Sequence, residues 1–167
     1  MLQLVDPEKR PIHWYMDVQM PVDDLWAIFA DYRNVGEWWP DKNIRFDFIG
    51  DGIGMIRNIY PPGGLMISQR LDAIDENQRT ITATFLNSEE YGMKDFQGTM
   101  KATDLGNGWS RLTYMATTTT LLNVSHSVQI AAAEGYLAGF YASLKVQLEG
   151  KGIKAGASGR LEVKEDA

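Results

Sequence analysis

The sequence predicts an α+β fold: a seven-stranded antiparallel sheet, apolar on one face, covered there by a long C-terminal helix, with two short helices after the first strand. Three observations predict it. Six strand-like segments succeed one another near 44–49, 54–60, 65–74, 79–87, 95–104 and 109–118. Turn-formers such as Gly50-Asp51-Gly52, Pro61-Pro62-Gly63-Gly64, Asp75-Glu76-Asn77 and Gly106-Asn107-Gly108 separate most of them, and connections this short impose antiparallel pairing. Two segments alternate cleanly. Ile81, Ala83 and Phe85 oppose Thr80, Thr82 and Thr84, while Phe96, Gly98, Met100 and Ala102 oppose Gln97, Thr99, Lys101 and Thr103, so one face is apolar and the other wet. Finally, 127–149 reads as a helix long enough to cover the apolar face.

The elements follow in order. "IHWYMDVQM", 12–20, is β-rich and ends at Pro21, which makes it the first strand. Val22, Leu25, Trp26 and Phe29 then recur at i, i+3, i+4 and i+7, one face of a helix. Asp23 and Asp24 in its first turn complement the helix dipole. A second short helix spans Val35 to Trp39 and stops at Pro40. Two further strands carry inward parities, Ile67-Gln69-Leu71-Ala73 and Leu112-Tyr114-Ala116.

The long helix has two dissimilar stripes. Ile130, Ala133, Leu137, Phe140, Tyr141, Leu144 and Leu148 share one face and should meet the sheet. Val128, Ala132, Gly135, Gly139, Ala142 and Val146 form a nearly opposite stripe. Each glycine costs ~1 kcal/mol relative to alanine in a helix interior. Gly135, Gly139 and Ala142 therefore mark either a homodimer contact, in which another backbone comes close, or a face left to water.

Composition narrows the classes. A chain of 167 residues favours one domain, placed here at 1–150, with 151–167 as a flexible tail from which "RLEVK" could dock. The net charge is −6, with Lys and Arg scattered, which argues against nucleic acid as a partner. Without cysteine there are no disulfides or thiolate metal sites. With only His13 and His126 besides, no metal and no cofactor are expected. "MLQLVDPEKRP" lacks the pattern of a secretory signal and no segment is apolar enough to insert in a membrane, so the expected location is cytoplasmic. Asn123-Val124-Ser125 matches a glycosylation sequon by chance. "GDGIGM", 50–55, superficially resembles a phosphate loop but lacks the third glycine and precedes a strand, so it reads as a turn.

From "HWYMDVQMPVDDLWAIFADYRNVGEWWP" through the long helix, about residues 12–150, the chain resembles the START-like (SRPBCC) superfamily. That group takes in polyketide cyclase/dehydrase and lipid-transport proteins, the birch-pollen-allergen (Bet v 1) type and the abscisic acid receptors. "GMIRNI", 54–59, looks like its Gly-x-x-Arg strand; "ISQRLDAIDENQRTITATF" looks like its strand–RLxxxD–turn–strand segment; "YGMKDFQGTMKATDLGNGWSRLTYMA" looks like its last hairpin. The resemblance implies a helix-grip fold: a curved sheet wrapped around the C-terminal helix, with a ligand cavity between them. It also implies that "YPPGG", 60–64, and "SEEYGM", 88–93, flank the entrance, although plain turns would look the same.

On this reading the partner is a hydrophobic small molecule of lipid, isoprenoid, polyketide or aromatic type. Arg57 matches the inward strand arginine of the family and would bind a ligand oxygen, unless a nearby acid holds it. Gln69 stands in step with Ile67 and Leu71, either on the ligand or on the strand ends. Tyr114 is a ligand contact, a proton donor or a core phenol satisfied by protein. Ile59, Ile67, Phe85, Phe96, Leu137, Phe140 and Leu144, with Trp38 and Trp39 at the end of the pocket, would form the apolar wall or ordinary core. Arg57 and Tyr114 are also the catalytic candidates of an alternative, a polyketide cyclase or dehydratase using the same cavity. A third reading is a protein-interaction module with a vestigial pocket. A triad of His126 with Ser125 or Ser127 is conceivable, but adjacency in sequence is not triad geometry.

Overall fold

Residues 11–121 and 125–161 are described by the computed structural model of the chain. Ile12–Val18 forms β1, whose Ile12, Met16 and Val18 are buried. Helix α1 (Val22–Ala30) seats Leu25, Trp26 and Phe29 in the core. A 3-10 turn at Tyr32–Asn34 leads into α2 (Val35–Trp38). Strands β2 (Arg45–Ile49), β3 (Ile56–Tyr60), β4 (Ile67–Asp75), β5 (Thr80–Phe85), β6 (Met93–Gly106) and β7 (Trp109–Thr120) pair antiparallel in sequence order. Glycine punctuates the β2–β3 turn: Gly50, Gly52 and Gly54 all hold positive φ, a conformation that side chains disfavour. Helix α3 runs His126–Gly150.

Among the described residues the sheet has eight strands rather than seven, in the order β2-β3-β4-β5-β6-β7-β1-β8. The extra strand, β8 (Ala155–Arg160), lies within what reads in sequence as a flexible tail. It pairs antiparallel with the open edge of β1, from Trp14↔Arg160 to Val18↔Ala155. Its sequence, "AGASGR", has no β-branched or aromatic residue, so the pairing comes from the edge it completes rather than from propensity. Small residues suit the site: a Cβ on Gly156 would stand 3.0 Å from the Trp109 ring. Arg160 reaches Glu134 of α3 at 3.9 Å, tying strand to helix. The rest of the "RLEVK" segment beyond Leu161, the start of the chain before residue 11 and most of the sequon lie outside the described residues.

The alternation read from sequence holds on β5, β6 and β7, where Ile81, Ala102, Leu112 and Ala116 are buried. Outside, the hydroxyls of Thr82 and Thr99 bond each other at 2.9 Å. It fails in β4. A register shift between Leu71 and Ala73 makes a bulge at Asp72, so Ala73 turns outward and Ile74 faces Ile81 instead.

Helix α3 lies against the concave face. Ile130, Tyr141 and Leu144 are buried, while Val128 and Val146 on the opposite stripe are exposed. Gly135, Gly139 and Ala142 are exposed too, and a Cβ at either glycine would meet nothing within 4 Å. No helix among the described residues is long and apolar enough to cross a membrane.

Candidate functional site

The bulky stripe of α3 does two jobs along its length. Toward its C-terminal end Tyr141, Leu144 and Leu148 close onto the main core, together with Trp38, Trp39, Ile59 and Leu71. Toward its N-terminal half, where Ile130 packs on Ile12 and Ala116, helix and sheet leave beside that contact a cavity of about 380 Å³. Ala133, Tyr136, Leu137 and Phe140 wall it on the helix side, with Trp38 and Trp39 at one end. Ile67, Gln69, Phe85, Phe96, Met100 and Tyr114 wall it on the sheet side. The rings lock one another: Trp39 meets Phe140 at 5.0 Å between centroids, Trp38 meets Phe140 at 5.9 Å, and Phe85 meets Phe96 at 5.6 Å. Edge-on contacts of this kind hold a wall in place without filling the space behind it.

A smaller recess of about 60 Å³ continues the sheet side of this cavity, sharing Arg57, Gln69, Phe85, Phe96, Met100 and Tyr114 and adding Tyr32, Ile81, Ala83 and Gly98. Arg57 is 8% exposed. It stands opposite Gln69 across the β3–β4 ladder, and its Nε and Nη2 donate to Gln69 Oε1 at 3.2 and 2.7 Å. Nη1 donates to the Tyr32 carbonyl at 3.3 Å, and the guanidinium lies 3.9 Å over the Tyr32 ring. No carboxylate pairs with it among the described residues. Burial lowers its pKa, an effect the phenols of Tyr32 and Tyr114 oppose.

The hydroxyl end of the Tyr114 ring reaches over Gly98. A Cβ there would stand 2.2 Å from the Tyr114 hydroxyl and 2.6 Å from Cζ, so glycine is what lets the ring occupy its place. Burial pushes the Tyr114 phenol well above its ordinary value, against the pull of Arg57. Tyr32 is raised for the same first reason, and its hydroxyl is buried without a partner, as is Trp38 Nε1. These phenols therefore stay protonated, each keeping an O–H free to donate.

Of the residues singled out in sequence, Trp38, Trp39, Arg57, Ile67, Gln69, Phe85, Phe96, Tyr114, Leu137 and Phe140 lie on the cavity wall. Ile59 and Leu144 do not: at 0% and 3% exposure they are packed in the core, because the layers have already closed where they stand. Tyr32, Tyr91, Met93, Met100, Gln129 and Tyr136 join the wall unannounced. Met100 shared the inward parity of β6, and Tyr91 and Met93 belong to "SEEYGM"; Tyr32, on an irregular turn, carries no periodic signal. Tyr91 of "SEEYGM" donates its hydroxyl to the Leu65 carbonyl at 2.6 Å, and Asn87 Nδ2 donates to that of Met66 at 2.6 Å; of the two loops, Tyr91 and Met93 line the cavity and no residue of 60–64 does. Among the described residues the serines and the histidine are engaged otherwise than in a triad. Ser125 caps α3, accepting from the Val128 amide at 3.3 Å, while His126 Nδ1 faces Thr120 Oγ1 at 3.1 Å, and none of the three lines the cavity.

A sheet gripping one long helix, with short helices after its first strand, is the helix-grip fold of the Bet v 1-like proteins. Solved structures share it. An uncharacterised protein from Bacillus thuringiensis is 17% identical with a TM-score of 0.71, over 84% of this chain and 99% of that one. The protein XoxI from Bacillus cereus is 18% identical with a TM-score of 0.68, over 80% and 92%. Norcoclaurine synthase from Thalictrum flavum, solved in complex with dopamine and hydroxybenzaldehyde, is 17% identical with a TM-score of 0.65, over 89% and 94%. Identities this low carry the fold alone. No protein-family model and no curated protein matches the chain.

Proposed function

We propose that this protein binds a hydrophobic small molecule, of lipid, isoprenoid, polyketide or aromatic type, between the sheet and α3. The observation that carries the reading is the ring-lined cavity of about 380 Å³, within the ~300–1,000 Å³ range of small-molecule sites. At ~24 cal/mol per Å³ of unfilled core, closing such a space with side chains would be worth several kcal/mol. Water entering at the mouth lowers that figure, yet it stays comparable to the ~5–15 kcal/mol net stability of a domain. An opening of this size is more simply a site than a packing fault. The likeness to norcoclaurine synthase lends support, since that protein holds two aromatic molecules.

The cyclase or dehydratase alternative would use Arg57 and Tyr114 to polarise carbonyls. What speaks against it is the lack of a base: no carboxylate or histidine lines the cavity among the described residues, and a phenol raised by burial is a poor one.

Native mass spectrometry of freshly purified protein, with tryptophan quenching by the neutral probe N-phenylnaphthylamine, tests the proposal. Saturable quenching is expected, because Trp38 and Trp39 line the cavity. Ala133→Trp, which puts a ring into the space, should abolish it while the protein stays folded. Absence of both a co-purifying ligand and saturable quenching would overturn the reading.

A further inference from the structure

We infer that the cavity selects a singly charged acid, a carboxylate on an apolar body, whose head seats on Arg57. The inference rests on the small-molecule binding proposed above and names its chemical class. Arg57 is the charged side chain on the wall of both the cavity and its recess. Burying a guanidinium this deeply is unfavourable unless an anion compensates it. The fold's own buried carboxylate, Glu134, is spent elsewhere, beside Arg160.

The acceptors Arg57 does have are neutral, the Gln69 side-chain oxygen and the Tyr32 carbonyl. Each terminal nitrogen keeps a further N–H donor, enough for both oxygens of a carboxylate. The surroundings add donors without acceptors. The Tyr32 hydroxyl is buried and unpartnered, and that of Tyr114 makes no hydrogen bond among the described residues. Both belong to the recess of about 60 Å³, room for a carboxyl-sized head. What this cluster lacks is an acceptor carrying negative charge.

Charge count narrows the head group. One buried cation matches one negative charge. A phosphate monoester, with a charge of about −1.5 to −2 near neutrality, would bury the excess uncompensated. The remaining wall, of Trp38, Trp39, Phe85, Phe96 and Phe140, takes the apolar body.

Calorimetric and tryptophan-quenching titrations of the full chain with naphthylacetate and phenylbutyrate, each against its primary amide, test this. In the wild type the acid should bind about tenfold or more tightly than the amide, a difference of ~1.4 kcal/mol, and naphthyl phosphate should bind more weakly than naphthylacetate. Arg57→Met should bring acid and amide to near parity by weakening the acid alone, whereas Arg57→Lys should keep a preference. Equal affinities for acid and amide in the wild type, tighter binding of the phosphate, or a preference that survives Arg57→Met would each overturn the inference. If Arg57→Met does not fold, the wild-type ratios decide. Binding of neutral N-phenylnaphthylamine without acid preference would overturn the anion and spare the pocket; failure of every probe would remove both.

Discussion

Replacing Gly98 with alanine adds one methyl group and should displace the Tyr114 ring. The backbone there is not in the left-handed region, so the cost is steric. The new Cβ would stand 2.2, 2.6 and 2.8 Å from Tyr114 Oη, Cζ and Cε2, whereas ordinary contact begins at 3.4 Å. The ring must move by more than an ångström, and its free side is the cavity. Overpacking of this kind costs ~1–3 kcal/mol, which for a domain of this size lowers Tm by about 2–4 °C per kcal/mol. The ring also takes room from the guest, so N-phenylnaphthylamine should bind more weakly. Urea denaturation of Gly98→Ala, Tyr114→Ala and the double variant forms a cycle. Because alanine at 114 removes the clashing ring, the double variant should be more stable than the sum of the single losses by ~1 kcal/mol or more. Tyr114→Phe should not relieve the clash, since Cζ and Cε2 remain. Additive losses, or a Gly98→Ala variant within ~0.5 kcal/mol of wild type with unchanged probe affinity, would refute the account of this contact.

Three further outcomes are expected. Gly135→Ala and Gly139→Ala should each stabilise the monomer by up to ~1 kcal/mol, because the added Cβ meets open space; a drop in stability or a changed elution volume in size-exclusion would place a partner on that face. Asp72 is raised by its burial, but hydrogen bonds from Thr84, Arg70 and Gln97 outweigh this and hold its carboxyl below 3.8. Its folded pKa is thus depressed, so its stabilisation is present above the unfolded value and is lost as pH falls through the folded one. The denaturation midpoint should therefore fall more steeply in wild type than in Asp72→Asn as pH drops through and below the ordinary carboxylate range. Ending the chain after residue 154 removes β8 from β1, uncovers the edge beside Met16 and Val18, and strips Arg160 from Glu134; a loss of ~2 kcal/mol or more is expected in thermal melts, and an unchanged melt would show that β8 adds nothing.

The elements were legible because their signals are local. Thr/Ile alternation in "TITATF", the i, i+3, i+4, i+7 spacing of Val22, Leu25, Trp26 and Phe29, and the glycine pairs at the turns state their own conformation. Direction was legible for the same reason: Gln69, Phe85 and Tyr114 point inward by parity, and inward they lie, as does Arg57, whose direction came from the family resemblance. Where the signal is not local, reading along the chain failed. "AGASGR" becomes a strand because β1, far away in sequence, has a free edge. Ala73 turns outward because a bulge at Asp72 breaks the count.

The amino-acid order alone therefore determined most of the strands and helices and, outside the β4 bulge, the side toward which each looks, since backbone sterics and side-chain period act over a few residues. Only the tertiary structure decided that Leu137 faces open space while Leu144, two turns along the same stripe, is packed shut. It alone left Arg57 buried beside neutral oxygens rather than paired with an acid. Both depend on how far apart the sheet and the helix stand, a distance set by contacts between segments remote in the chain, which no local pattern encodes.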